Sequence, residues 1–189
     1  MSRVPLVTMR AVAERVGVTP MALYGHIPDK EGLLDSMVGQ LLSEISLPGP
    51  EGSWRARLTV LANEARALAR KHPGAVPLLF ARPTVTADAV QVVDAIYLAL
   101  LDAGAPTAEI PRLERLLSTV VLGYAASEAS GRFSAALNPR ARRAHLPEGE
   151  LRGHACVLEW LEKPVDWDAE FREDLEDMMS LIERLAGAA

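Results

Sequence analysis

Arg10, Tyr24, His26 and Lys30 are the side chains near the start of this chain best suited to chemistry with a polyanion. Arg10 offers the planar guanidinium fork that pairs bidentately with guanine. Lys30 falls in the first turn of a predicted helix, where free backbone N–H groups and the helix dipole add to the attraction of its ammonium for a phosphate oxygen. Between them, Thr19, Pro20, Met21, Tyr24, Gly25 and His26 give an outward face of small or polar groups, with Ala22 ambiguous in this phase. Pro20 and Met21 can supply only shape or contact with a thymine methyl. Taken singly, Tyr24 reads as readily as a rim aromatic and Lys30 as a solvated charge. Their joint spacing favours a surface that approaches base edges, which a short, rigidly held helix can do.

The elements that would position these groups follow from local chemistry. Met9, Val12, Ala13 and Val16 stand at i, i+3, i+4 and i+7 after Thr8, a possible N-cap, which predicts a short amphipathic helix. Gly17 stops it, and Thr19-Pro20 restarts the chain as an N-cap followed by proline at the first helical position. The second helix must end near His26, because Ile27 precedes Pro28 and is pushed out of the helical region. Val12, Val16, Val18 and Leu23 are the expected inner seam. Asp29 then caps a third helix with Leu34, Met37, Val38, Leu41 and Ile45 as its apolar stripe.

The run 46–52, SLPGPEG, reads as a junction, giving residues 1–46 as a helix-turn-helix unit and 53–189 as a larger helical one. Beyond it, Trp54, Leu58, Leu61, Ala65 and Leu68 form a helical face that ends at His72-Pro73-Gly74. Thr86 caps a helix bearing Val90, Val93, Tyr97, Leu100 and Leu101. Leu113, Leu116, Leu117, Val120, Val121 and Tyr124 mark another. The stretch 131–150 reads as a loop, followed by helices near 150–162 and 168–186. The last carries Phe171, Leu175, Met178, Ile182 and Leu185 in a heptad-like seam suited to helix pairing. The fold class expected is all-α, which agrees with 49% hydrophobic residues but only 5% aromatic ones.

The formal net charge of −5 argues against a chain devoted wholly to nucleic acid. Locally the balance differs: within residues 1–30, Arg3, Arg10, Arg15 and Lys30 stand against Glu14 and Asp29. The lone Cys156 excludes an internal disulfide, and with no leader and no apolar run of roughly 20 residues a cytoplasmic protein is expected. No nucleophile elbow, phosphate loop or facing carboxylate pair is present, so no enzymatic activity and no cofactor are expected. His145, His154 and Cys156 make too small a ligand set for a metal site.

The run VTMRAVAERVGVTPMALYGHIPDKEGLL, residues 7–34, resembles the DNA-binding motif of the tetracycline-repressor-like (TetR) family, and the match covers residues 7–45 closely. Residues 54–189 resemble the family's regulatory half more loosely, through HPGAVPLLFARP, the helix at 111–130 and the final amphipathic helix. The resemblance implies phosphate contacts from Thr8, Tyr24 and Lys30, and base or groove contacts from Arg10, Pro20, Met21, Ala22, Gly25 and His26. It further implies double-stranded operator DNA as partner, a small apolar effector enclosed among the later helices, and a homodimer. Trp54, Phe80, Tyr97, Tyr124, Glu128, Phe133 and Trp160 are the candidate effector contacts, with Tyr124 and Glu128 singled out because they share one face of an apolar helix. Gly123, Ala125, Ala126 and Ala129, with the 168–186 seam, are the candidate dimer surfaces.

One departure is that only seven residues precede Thr8, so the family's usual preceding helix is expected to be missing. Two functions are therefore weighed: a ligand-responsive repressor, and a dimeric helical small-molecule binder that has lost DNA binding.

Overall fold

The computed structural model describes residues 8–82, 86–133, 151–161 and 163–187, and among them it contains helices and no strand. The order is α1 (Met9–Val16), α2 (Pro20–His26), α3 (Lys30–Leu42), α4 (Trp54–Lys71), α5 (Val76–Ala81), α6 (Ala87–Asp102), α7 (Ile110–Ala129), α8 (Arg152–Leu161) and α9 (Trp167–Ala186). Single 3₁₀ turns, Pro73–Ala75 and Thr107–Glu109, precede α5 and α7.

Capping chemistry sets the boundaries of the first elements. The Thr8 and Thr19 hydroxyls accept from the Ala11 and Ala22 N–H groups at 3.2 Å, and the Asp29 carboxylate accepts from Gly32 at 2.7 Å. Gly17 closes α1 in the left-handed region at φ 78°, returning its N–H to the Ala13 and Glu14 carbonyls. Further on, Ser53 and Thr86 cap α4 and α6 in the same way. The short α5 has no periodic signature of its own; it is a single tight segment behind Pro73 and Pro77.

α4 lies at the centre, packed against α6 and α7, while α3 lies against α6 and α5 against α7. The main core joins Leu58, Leu100 and Leu113 to Phe171, Met179 and Ile182, all nearly inaccessible. Each such side chain contributes about 1.5–3 kcal/mol on leaving water.

Helix existence follows the sequence reading, but several faces are rotated from it. In α1 the interior takes Met9 and Ala13, while Val16 is 66% exposed and Val12 only half-buried; Val18 is exposed and Leu23 half-buried. The expected Val12–Val16–Val18–Leu23 seam is thus replaced by the Met9–Ala13 edge, because α2 buries no residue fully and leaves only one side of α1 covered. In α3, Leu33, Val38 and Leu41 are buried, as is Ile45 beyond its end; Leu34 is half-buried and Met37 is exposed. In α6, Ala89, Ile96, Ala99 and Leu100 go inside, leaving Val90 and Leu101 outside. The α9 seam from Phe171 to Ile182 is buried within the chain, as is Ala125, and Ala126 and Ala129 pack beside Ala69 and Val76. Those side chains are taken up by packing within the chain, whereas Gly123 is half-buried with open space beside it.

Candidate nucleic-acid interface and ligand cavity

α2 stands clear of the body. None of its residues is buried, Met21 is 81% exposed and Tyr24 about half exposed, and Pro20, Ala22, Gly25 and His26 are all exposed. Thr8 and Thr19 remain exposed while capping, so each hydroxyl keeps a hydrogen to donate outward. The Arg10 Nε meets Glu14 at 3.1 Å, one turn on, with both side chains largely in water; such a pair is weak and leaves the guanidinium tip free. Lys30 opens α3, half-buried, directly after the Asp29 cap. The ten sequence-derived contact candidates therefore lie on one continuous stretch from the start of α1 to the first turn of α3.

α3 is tied to the later helices at both ends. The Arg82 guanidinium donates to the Glu31 carbonyl at 3.0 Å and pairs with the carboxylates of Glu31 and Asp35. Hydrogen bonding from Asp35 and then Glu31 raises the Arg82 pKa further above its already high value. Beyond the end of α3, Glu44 accepts from Lys71 Nζ at 2.7 Å and faces His72 Nε2 at 3.1 Å. Lys71 and then His72 hold that carboxyl below its usual range. Midway, Gly39 lets α3 seat on the start of α6: a Cβ there would stand 3.0 Å from the Thr86 side chain.

Between α3, α4, α6 and α7 lies a cavity of about 510 Å³. Val38 and Leu42 of α3, with Ile45 just beyond it, form one wall, Leu58, Leu61, Ala62 and Ala65 of α4 another, and Ile96, Leu117 and Val121 close much of the rest. Arg82, Glu114, Arg115, Ser118 and Thr119 are its polar members. A smaller cavity of about 340 Å³ adjoins it, lined by Val90, Val93, Asp94, Tyr97 and Glu114.

Of the effector contacts expected from sequence, Phe80 lines the larger cavity and Tyr97 the smaller. The others sit elsewhere. Trp54 packs on the core with the Arg55 guanidinium 5.1 Å from its ring, and Trp160 is 67% exposed beneath Lys163. Tyr124 lies between Phe133 and Phe171, its hydroxyl donating to the Trp167 carbonyl, while Phe133 stacks on Trp167 at 4.0 Å. Burial pushes the Tyr124 phenol up.

Glu128 takes two hydrogen bonds of 2.9 Å from Arg66 and one of 2.7 Å from Arg70, and both arginines also reach Asp168 at 2.8 Å. Burial opposes the charged form of Glu128, but the two arginines outweigh it and hold the carboxyl below its usual range. This cluster bridges α4, α7 and α9, so Glu128 fastens helices. The aliphatic walls and Glu114 were not anticipated. Glu114 and Ser118 stand one turn apart beside the Leu113–Leu117–Val121 stripe, a pattern that any amphipathic helix shows, so the sequence carries no distinctive signal for them.

Two family models match the chain: one described as bacterial regulatory proteins, tetR family, over residues 5–37, and one described as tetracyclin repressor-like, C-terminal domain, over residues 47–184. The chain belongs to the tetR family of bacterial regulatory proteins. It is a transcription regulator built on a helix-turn-helix and a helical regulatory half. A helix-turn-helix transcriptional regulator of Saccharopolyspora erythraea is 27% identical over 182 residues, covering 95% of this chain and 77% of that protein. The transcriptional repressor DrrR1 of Streptomyces coeruleorubidus is 29% identical over 123 residues, which span 64% of this chain and 46% of that protein. Among solved structures, ActR of Streptomyces coelicolor superposes with a TM-score of 0.80 at 21% identity, over 95% of this chain and 88% of that one. ActR in complex with actinorhodin gives 0.80 at 20% identity, over 96% and 89%. A TetR variant of Acinetobacter baumannii in complex with minocycline gives 0.68 at 22%, over 97% and 88%. Among the described residues no helix is long and apolar enough to cross a membrane.

Proposed function

We propose that this regulator is a homodimeric cytoplasmic repressor that grips double-stranded operator DNA with residues 1–46 and lets go when a small molecule occupies the cavity between α3 and the helices of residues 53–189. The observation that carries the proposal is the shared wall: Val38 and Leu42 belong to the helix whose first turn bears Lys30, and Ile45 follows just beyond its end. An occupant of the cavity therefore touches the element that orients the DNA-facing groups. A ligand favouring one setting of α3 over another by a factor of about 10⁴ suffices to move a population from 1:99 to 99:1.

Thr8, Tyr24 and Lys30 then serve the phosphates, and Arg10, Thr19, Pro20, Met21, Ala22, Gly25 and His26 the groove, with two copies matched to a pseudo-palindromic site. The solved complexes of ActR with actinorhodin and of the TetR variant with minocycline support a ligand-binding role for this fold. α8 supports the dimer: Val157, Leu158 and Trp160 are exposed along it and give a second copy apolar area to cover.

The test is anisotropy titration of labelled DNA from the region upstream of the gene, against a scrambled duplex, across a range of salt. Preference for the upstream DNA, with a steep loss of affinity as salt rises, is expected. Equal affinity for both duplexes overturns the proposal in favour of a helical binder without DNA specificity.

A further inference from the structure

We infer that the effector is a molecule with an apolar body and a basic amine at one end, the body in the larger cavity and the ammonium beside Glu114. The inference rests on the reading of that cavity as the effector site and adds the class of molecule it takes.

The larger cavity is mostly aliphatic and has room for a fused-ring body. Its cation Arg82 is already committed to Asp35 and Glu31 on α3. Arg115 lines only the larger cavity; it is exposed and does not reach the smaller one. Glu114 is different: it borders both cavities, as does Val93, so the two spaces meet at this side chain.

The Glu114 carboxylate is half-buried, and its partner among the described residues is the Ser118 hydroxyl, which donates to Oε1 at 2.7 Å. A neutral donor leaves the charge uncompensated, and Oε2 accepts from no other group among the described residues. Asp94 and the Tyr97 ring complete the smaller cavity, which carries no basic side chain among the described residues. Two carboxylates beside an aromatic side chain favour an ammonium and disfavour an anion. A molecule long enough to extend past Val93 places its end among them.

Three fluorescent probes that share one ring system test this on the full chain: 1-pyrenemethylamine, 1-pyrenemethanol and 1-pyrenecarboxylic acid. The amine is expected to bind about tenfold tighter than the alcohol, the acid weakest, and the advantage of the amine to shrink as salt rises. Glu114→Gln and Asp94→Asn together are expected to erase the preference, the amine falling to the affinity of the alcohol. Should Glu114→Gln fail to fold, Asp94→Asn alone, at an exposed position, together with the salt series on the unaltered chain, gives the same readout. Equal affinity for the three probes, or a preference that survives the substitutions, overturns the amine assignment and leaves the cavity as an effector site. No binding of any probe by folded protein overturns both.

Discussion

Replacing Glu128 with alanine separates its two candidate roles, effector contact and helix fastener. Its carboxylate is about four-fifths covered, and it takes two charge-assisted bonds from Arg66, whose side chain is only 6% exposed. Breaking a buried pair by removing one partner costs about 3–5 kcal/mol. Here Arg66 keeps Asp168 at 2.8 Å and the rings of Tyr124 and Phe171 within 5.0 Å, so the expected loss is smaller, about 2–3 kcal/mol. For a chain of this size that lowers the melting temperature by about 4–12 °C. Circular-dichroism melts of the wild type, Glu128→Ala, Arg66→Met and the double variant read it directly, and the two single losses are expected not to add.

The pH dependence has a definite sign. The folded Glu128 carboxyl titrates below its ordinary value of 4.5, so the stability it supplies is fully present above pH 4.5 and fades as the pH falls through the lower folded value. The gap between wild type and variant should therefore close on acidification. A gap below about 1 °C at neutral pH, or additive single losses, would refute the fastener role. A folded variant that loses its affinity for pyrenemethanol would reinstate the effector role instead.

Lys30→Ala is expected to weaken binding to all duplexes alike and to reduce the slope of log affinity against log salt by about 2, one for each copy in the dimer, measured by anisotropy across salt. Arg10→Ala should instead relax preference at one base pair, worth about a tenfold discrimination or more, as read from a panel of single-substitution operators. Arg82→Met removes the ties to Glu31 and Asp35; the ratio of full-site to half-site affinity is expected to fall while half-site binding stays put. Ala65→Phe places a ring in the larger cavity and should abolish probe binding at an overpacking cost of about 1–3 kcal/mol, with DNA binding retained.

The placement of the ligand contacts was the part least legible from the chain. Aromatic residues are the sequence's natural pocket candidates, yet Tyr124 packs between Phe133 and Phe171 and Phe133 stacks on Trp167, pinning α9, and the cavity is walled mainly by Val, Leu, Ile and Ala. Nothing in the local sequence distinguishes Leu61, which borders empty space, from Leu113, which is packed on all sides. That difference depends on where other helices happen to stop. Likewise Arg66 and Glu128 are 62 residues apart, and neither advertises the other.

Local chemistry, by contrast, is sufficient to write α1, α2 and the start of α3 almost to the residue, while the apolar stripe runs on to Ile45 past the end of α3 at Leu42. Threonine, aspartate, glycine and proline act on the few backbone groups next to them, so Thr8, Gly17, Thr19-Pro20, Ile27-Pro28 and Asp29 fix their helix ends whatever lies beyond. Which face of each helix turns inward is a different matter. Apolar residues cover much of the circumference of α1, α3 and α6, so periodicity leaves more than one phase open, and neighbouring helices choose among them. Val16 and Val90 outside, and Met9 and Ala89 inside, are the result of that choice.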